Sequence, residues 1–565
     1  MVRFRFFPVA LAALAAVACT VTGQQDSSAP LAAYEDPVPV DAEKANYHLL
    51  MGEMAIQRSD YGGASTHYHK AAQFSRDPTI AERASEVAAT YGTRTEAVSA
   101  ARRWVGLDPD NERARAALVR ALIQQRDFDG VVAELRIMLD EAEDQGERRF
   151  DYVEQWLASS PDASFSSRVM QALIEDHSES ARAHLTLSRL ALMSSQHDLA
   201  LRSVEKSLSL DPDSVEAGML YARVLIASGR QEEGLNEARE LLGTVADLSV
   251  RLEYAALLFA TDNDDQARRV LRNILEDSPR EPRALRALGL IELGDGNMES
   301  AKGYFSELLS TGAFPDDAVY YLATIYERNE DYPRALRFYG RVVSGANAVN
   351  AQARVARILN DLGDQDAGLK HLEAFGEAFP EHEISTVLAR GQLLVEMEQA
   401  DEALTLYRLA AENRPDEDRL QYAYAFLLEQ QDRVEEAVVV LRKLVKNRPE
   451  DPTALNALGY TLTDRTQRHR EAYRYIKQAI DITPDNPAII DSLGWVLFHR
   501  GMNEEALEHL RRAYELDGDP EIAAHLGEVL WHSGDKEAAH AVWKESLETY
   551  PENEHLQEAV ERYGH

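Results

Sequence analysis

The chain has 565 residues, of which 28% are charged and 45% hydrophobic, so it is long enough and apolar enough for several domains or one extended array. Gly at 30 and Pro at 20 are both scarce, which argues against an all-β or linker-rich chain and in favour of helix. The formal charge of -36, from 60 basic and 96 acidic residues, opposes a phosphate backbone and excludes nucleic acid as a partner. It fits either the solubility of a large exposed surface or the attraction of basic partners.

The N-terminal stretch MVRFRFFPVALAALAAVA places Arg3 and Arg5 ahead of an apolar run, Phe6 to Ala18, of 13 residues. That is too short to span a bilayer and has the parts of a secretory signal, so residues 1–18 are set apart from the fold. The single cysteine, Cys19, stands at the expected cleavage point. Ala16, Val17 and Ala18 before it resemble a bacterial lipobox, although that family usually has Leu where Ala16 stands. The same three residues also fit ordinary small-residue cleavage, and both routes cut the same bond. In the lipobox reading Cys19 carries the lipid (palmitate) anchor, and Thr20 rather than Asp after it implies sorting to the outer membrane, on its periplasmic face. Residues 19–42 then form a lipidated N-terminus and a tether, since the stretch from about Val21 to Asp41 is rich in Ser, Gln and Pro and has no helical period.

From residue 43 a small residue recurs at a nearly constant interval. The series is Ala64, Ala97, Val131, Ser166, Ala200, Gly234, Ala267, Ala301, Ala335, Gly368, Ala403, Ala437, Ala472, Ala506 and Ala539, in steps of 33 to 35. Twelve residues after eight of these comes a proline, among them Pro109, Pro212, Pro484 and Pro551, which ends a helix and fixes the register. The stretch DSLGWVLFHRGMNEEALEHLRRAYELDGDP, Asp491 to Pro520, shows one complete unit. Leu493, Gly494 and Leu497 share a face of the first helix, and Ala506, Leu510 and Ala513 share a face of the second. Gly494, Ala506 and Ala513 are small so that two antiparallel helices can approach closely.

This pattern resembles the tetratricopeptide (TPR) repeat. The resemblance implies an all-α fold, a right-handed superhelical TPR solenoid of about fifteen helix-turn-helix repeats. The array is expected over 43–551, with 552–565 as a polar C-terminal capping helix. Two repeats are expected to depart from the rule. The stretch from Gln145 to Ser180 lacks Gly and Ala at the tight positions and has Pro161 in its turn; DRTQRHR, after Thr463, is one residue too long, so the Gly459 position slips by one.

No H-E-x-x-H, G-x-S-x-G, P-loop or G-x-G-x-x-G in a usable context is present, so no enzyme and no cofactor are expected. His48, His67 and His69 are the best metal candidates, but without a second Cys or a carboxylate at ligand spacing they read as ordinary imidazoles. Asp262, Asn263, Asp264 and Asp265 lack the Gly and closing Glu of a calcium loop and fall where a turn is expected. In TPR proteins the first helix of each pair lines the concave groove. Carried over residue by residue, that resemblance picks out Tyr422, Phe426, Tyr460, Trp495, Phe498 and Trp531 as partner-binding rings, with Asp491 and Glu528 adding acidic contacts for a basic ligand. The other reading of these rings is that they fill gaps between adjacent hairpins.

The order of parts, Cys19, a tether and a long array ending in DSLGWVLFHRG and EIAAHLGEVLWHSGDKEAAHAVW, is similar to the outer-membrane TPR lipoproteins of pseudomonads and relatives. Those proteins are adaptors for a periplasmic carboxyl-terminal processing protease. The resemblance implies a scaffold that binds and activates this serine protease and presents substrates such as peptidoglycan hydrolases. The alternative is a TPR lipoprotein that assembles an export, pilus or exopolysaccharide machine.

Overall fold

The computed structural model describes residues 41–563, apart from Ser59, residues 142–146, Pro161 and Ala246. The signal segment, Cys19, nearly all of the tether and Pro161 lie outside the described residues. The described residues form thirty-one α-helices and no β-strand, and none of these helices is long and apolar enough to cross a membrane. They alternate as first and second members of hairpins, so the fold is all-α, a solenoid of TPR-type repeats. The chain divides into two compact units, the first ending at Ile358 and the second beginning at Leu359.

Helix ends follow local chemistry. Asn486 accepts a hydrogen bond from the Ile489 amide at 2.9 Å, and Pro487 opens the helix Pro487–His499 where no amide is needed. Asp451 with Pro452 and Asp519 with Pro520 start their helices in the same way. Within hairpins the chain reverses through one residue in the left-handed region, Gly501 in one repeat and Asp262 in another. Asp262 and Asn263 therefore make the helix-helix turn where the sequence places this run, and Asp264 and Asp265 open the helix that follows.

All fifteen recurring small residues are buried near the start of a second helix. The reason for their size is visible in the hairpin of Pro487–His499 and Asn503–Leu516. A Cβ on Gly494 would lie 2.6 Å from Leu510 Cγ and 3.1 Å from the Ala506 carbonyl oxygen. Gly459 has the same surroundings, Ile476 and the Ala472 carbonyl. The extra residue of DRTQRHR is thus absorbed by the turn between Asp464 and His469. Gly459 slips in sequence but not in space, because lengthening a loop is cheap and moving a packed helix is not.

The two predicted irregularities have different outcomes. Helices Arg149–Ala158 and Ala163–Ile174 are short, at 10 and 12 residues, and Ser166 replaces the usual Ala. Its buried hydroxyl is satisfied by donating to the Leu157 carbonyl at 2.7 Å. An irregularity not foreseen lies at Tyr332–Tyr339, where the second helix is only 8 residues long. The buried amide of Gln352 donates to the Tyr339 and Val342 carbonyls, at 3.1 and 2.7 Å, and so satisfies the backbone that the shortened helix leaves open. At the C-terminus, Glu554–Tyr563 buries Leu556 and Ala559 and leaves its other face polar.

The close approach at Gly494 predicts that Gly494→Val lowers stability by about 1–3 kcal/mol through overpacking. Gly303→Ala, in a helix with nothing within 4 Å of the added carbon, should gain up to about 1 kcal/mol. Denaturant unfolding of the two variants checks both signs.

Candidate partner-binding surface

Four first helices of the second unit carry the candidate rings: Asp418–Gln430, Pro452–Asp464, Pro487–His499 and Pro520–His532. Their repeats are stacked, so residues one period apart come face to face. Asp491 and His525, separated by 34 positions, form a buried pair in which His525 Nδ1 lies 3.0 Å from both carboxylate oxygens. Trp495, one turn from Asp491, stacks on the His525 ring with centroids 4.1 Å apart and planes 17° apart. Tyr460 reaches past the intervening first helix, and its hydroxyl donates to Glu521 at 2.5 Å. A contact across two repeats requires this face of the unit to be concave.

The six candidate rings do not share one environment. Trp495 is only 6% exposed, and its stacking on His525 places it in the core rather than on open surface. Tyr460 is half-buried, and burial together with the Glu521 charge pushes its phenol far up, so it stays protonated as a donor. Phe498 is half-buried between Trp495, at 5.4 Å, and His532, at 5.3 Å. Trp531 is half-buried beside Tyr563, at 5.7 Å, and beneath the Lys536 ammonium, at 4.0 Å. Tyr422 packs against the same core, whereas Phe426 is 63% exposed. Ring contacts thus join Tyr460, Trp495, Phe498 and Trp531 into one band, and Phe426 stands beside it as the open apolar group.

The acidic pair is also redistributed. Asp491 is committed to His525 and does not face an incoming ligand, and Glu528 accepts from the Tyr563 hydroxyl at 2.8 Å. His525, His532 and Tyr563 were missed from sequence, although His525 could have been found by stepping one repeat on from Asp491. Burial acts to lower the His525 pKa, but the charge of Asp491, its hydrogen bond and the charges of Glu521 and Asp464 outweigh it and hold the imidazole above 6.5. The cation is further favoured by the indole face of Trp495. In the first unit, His48 and His67 bring their Nδ1 atoms to 3.0 Å as a hydrogen-bonded pair, and among the described residues no three ligating groups converge on a metal position.

A raised His525 pKa stabilises the unit fully below 6.5, and that stabilisation is lost as pH rises through the folded-state value. The unit facing Tyr460, Asp464, Asp491 and Glu521 should therefore melt lower on going from pH 6.5 to pH 9, as followed by circular dichroism. Asp491→Asn should remove most of that dependence and destabilise by about 1–3 kcal/mol, because it deletes the charged hydrogen-bond partner of a buried imidazole that burial then keeps neutral.

Residues 394–459 match one tetratricopeptide-repeat family model, and residues 255–318 and 492–554 match a second. The chain is 28% identical over 491 residues to a TPR repeat-containing protein of Pseudomonas aeruginosa, a match that covers 86% of this chain and 82% of that protein. Among solved structures it is similar to yeast Tom70, at 15% identity and a TM-score of 0.35 over 88% of this chain and 96% of that one. It is also similar to pilF of Pseudomonas aeruginosa, at 20% identity and a TM-score of 0.30 over 36% of this chain and 94% of that one. The helix pairs and the family matches agree on a TPR-type scaffold for protein-protein interaction.

Proposed function

We propose that the chain is a lipid-anchored periplasmic scaffold that binds and activates a carboxyl-terminal processing serine protease and presents it with substrates such as peptidoglycan hydrolases. Cys19 is the anchor in this reading, and the outer membrane is the site of attachment. The observation that carries it is the concave face of the second unit, where an exposed Phe426 lies beside a band of rings that includes the half-buried Phe498. Rigid aromatic groups at the centre of a concave face are the side chains from which interfaces draw most of their energy. No chemistry is needed from the scaffold itself. Holding a protease and its substrate on one chain raises their effective concentration, and that alone accelerates their encounter.

A tagged, lipid-free chain incubated with envelope extract should retain the protease, and failure to retain any periplasmic protease contradicts the proposal. Phe426→Ala and Phe498→Ala should each weaken retention by about 1–2 kcal/mol while leaving the fold intact. Trp495→Ala is the wrong probe for this purpose, since emptying its buried site removes about 3–5 kcal/mol of stability.

A further inference from the structure

The two units treat the charges of their first helices differently. In the first unit, carboxylates on successive first helices are matched by arginines from the neighbouring repeat. Arg182 pairs with Asp151 at 2.6 Å and also with Glu216, and Arg189 pairs with Glu154 at 2.9 Å and again with Glu216. Such a ladder leaves little net field over the face it crosses.

In the second unit Glu383 and Asp418 are also matched by arginines, Arg414 and Arg448, but farther along the first helices the ladder thins. Glu521 is met by a phenol, and Glu429 accepts from the Thr461 hydroxyl at 3.1 Å while its nearest cation, Arg465, stands 3.9 Å away and also serves Asp432 at 3.1 Å. Asp464 is exposed, and the nearby His525 is already neutralised by Asp491. Burial is the main influence on Glu429 and pushes its carboxyl up; the Thr461 hydroxyl and the Arg465 charge oppose this, and the charges of Asp464 and Glu521 add to it. Phe426 precedes Glu429 by three positions on the same helix, which puts the exposed ring and this loosely paired carboxylate on one face. No three ligating groups among the described residues converge tightly enough for a metal ion, so a cation on a long side chain fits better than a bare one.

We infer that this face takes a partner segment carrying a lysine or arginine beside a bulky apolar side chain, the cation meeting Glu429, Asp464 and Glu521 and the apolar group meeting Phe426. The inference rests on the reading of this face as the partner-binding surface and adds the chemistry of what binds. An acidic segment would meet a net negative field there, which Arg465 only partly offsets.

The test uses the full mature chain and three labelled synthetic peptides, read by fluorescence anisotropy: one with lysines flanking phenylalanine, one with glutamates in place of the lysines, and one with alanine in place of phenylalanine. The lysine-phenylalanine peptide should bind at least about tenfold tighter than either of the others. The double variant E429Q/E521Q and the single variant Phe426→Ala should each lose at least about tenfold, with unchanged circular dichroism. E504Q/E508Q, on the second helix Asn503–Leu516, should bind as the parent does, which separates a local site from general attraction to an acidic protein. Unchanged binding in E429Q/E521Q, or an equal loss in E504Q/E508Q, overturns the inference. If Phe426→Ala releases the protease while all three peptides bind alike, the partner chemistry is wrong and the scaffold stands. If the peptides are selected as expected but protease retention ignores Phe426, the inference survives and the protease assignment fails.

Discussion

Everything in this molecule depends on the contact between two antiparallel helices at a point where one of them has almost no side chain. Gly494 against Leu510 and the Ala506 carbonyl is one instance, and Gly527, over which the Trp543 ring lies, is another. A side chain at either position would hold the helices apart, and the inner faces of the hairpin could no longer bury Leu493, Leu497 and Ala513 together. No hairpin of this size makes a core alone, so its outer apolar residues must be covered by the next one. Setting the depth of each hairpin therefore also sets where the neighbouring first helix lies.

That constraint turns the repeat period into a rule for contacts. Residues one period apart on first helices touch, as Asp491 and His525 do, and residues near two periods apart can touch across the concave side, as Tyr460 and Glu521 do. The face of the second unit is thus a grid in which each repeat supplies a column of side chains. Aromatic groups fill one part of the grid, and carboxylates with few or distant arginine partners fill another. In the first unit the same grid is filled by arginine-carboxylate ladders, such as that of Arg182, Arg189 and Glu216. One architecture therefore presents two chemically different surfaces.

The architecture was legible in the sequence because it is built from spacing. Small residues at intervals of 33 to 35, with prolines twelve positions on, report backbone proximity directly, and all fifteen marker positions are buried. The surface was less legible. Trp495 and Phe426 occupy similar places on their helices, yet one is 6% exposed and the other 63%. The difference comes from the following repeat, which places His525 against the indole, and a residue's own position cannot report it. The shortened helix Tyr332–Tyr339 escaped for a related reason, since its loss is compensated by Gln352, a polar residue with no signature of a core position. Gly459 shows the converse, where an irregular sequence yields a regular contact because the turn takes up the extra residue.

The central claim is that the first-helix face of the second unit, and not the second-helix face, is where a protein partner sits. The most direct measurement is site-specific photo-cross-linking in the living cell, with a benzophenone amino acid placed at Phe426 and, separately, at Val439. Val439 is as exposed, at 65%, but lies on the second helix Val434–Asn447. Cross-links to a periplasmic protease from position 426 and none from position 439 are the predicted result. Equal yields from the two positions, or trapping from 439 alone, would contradict it.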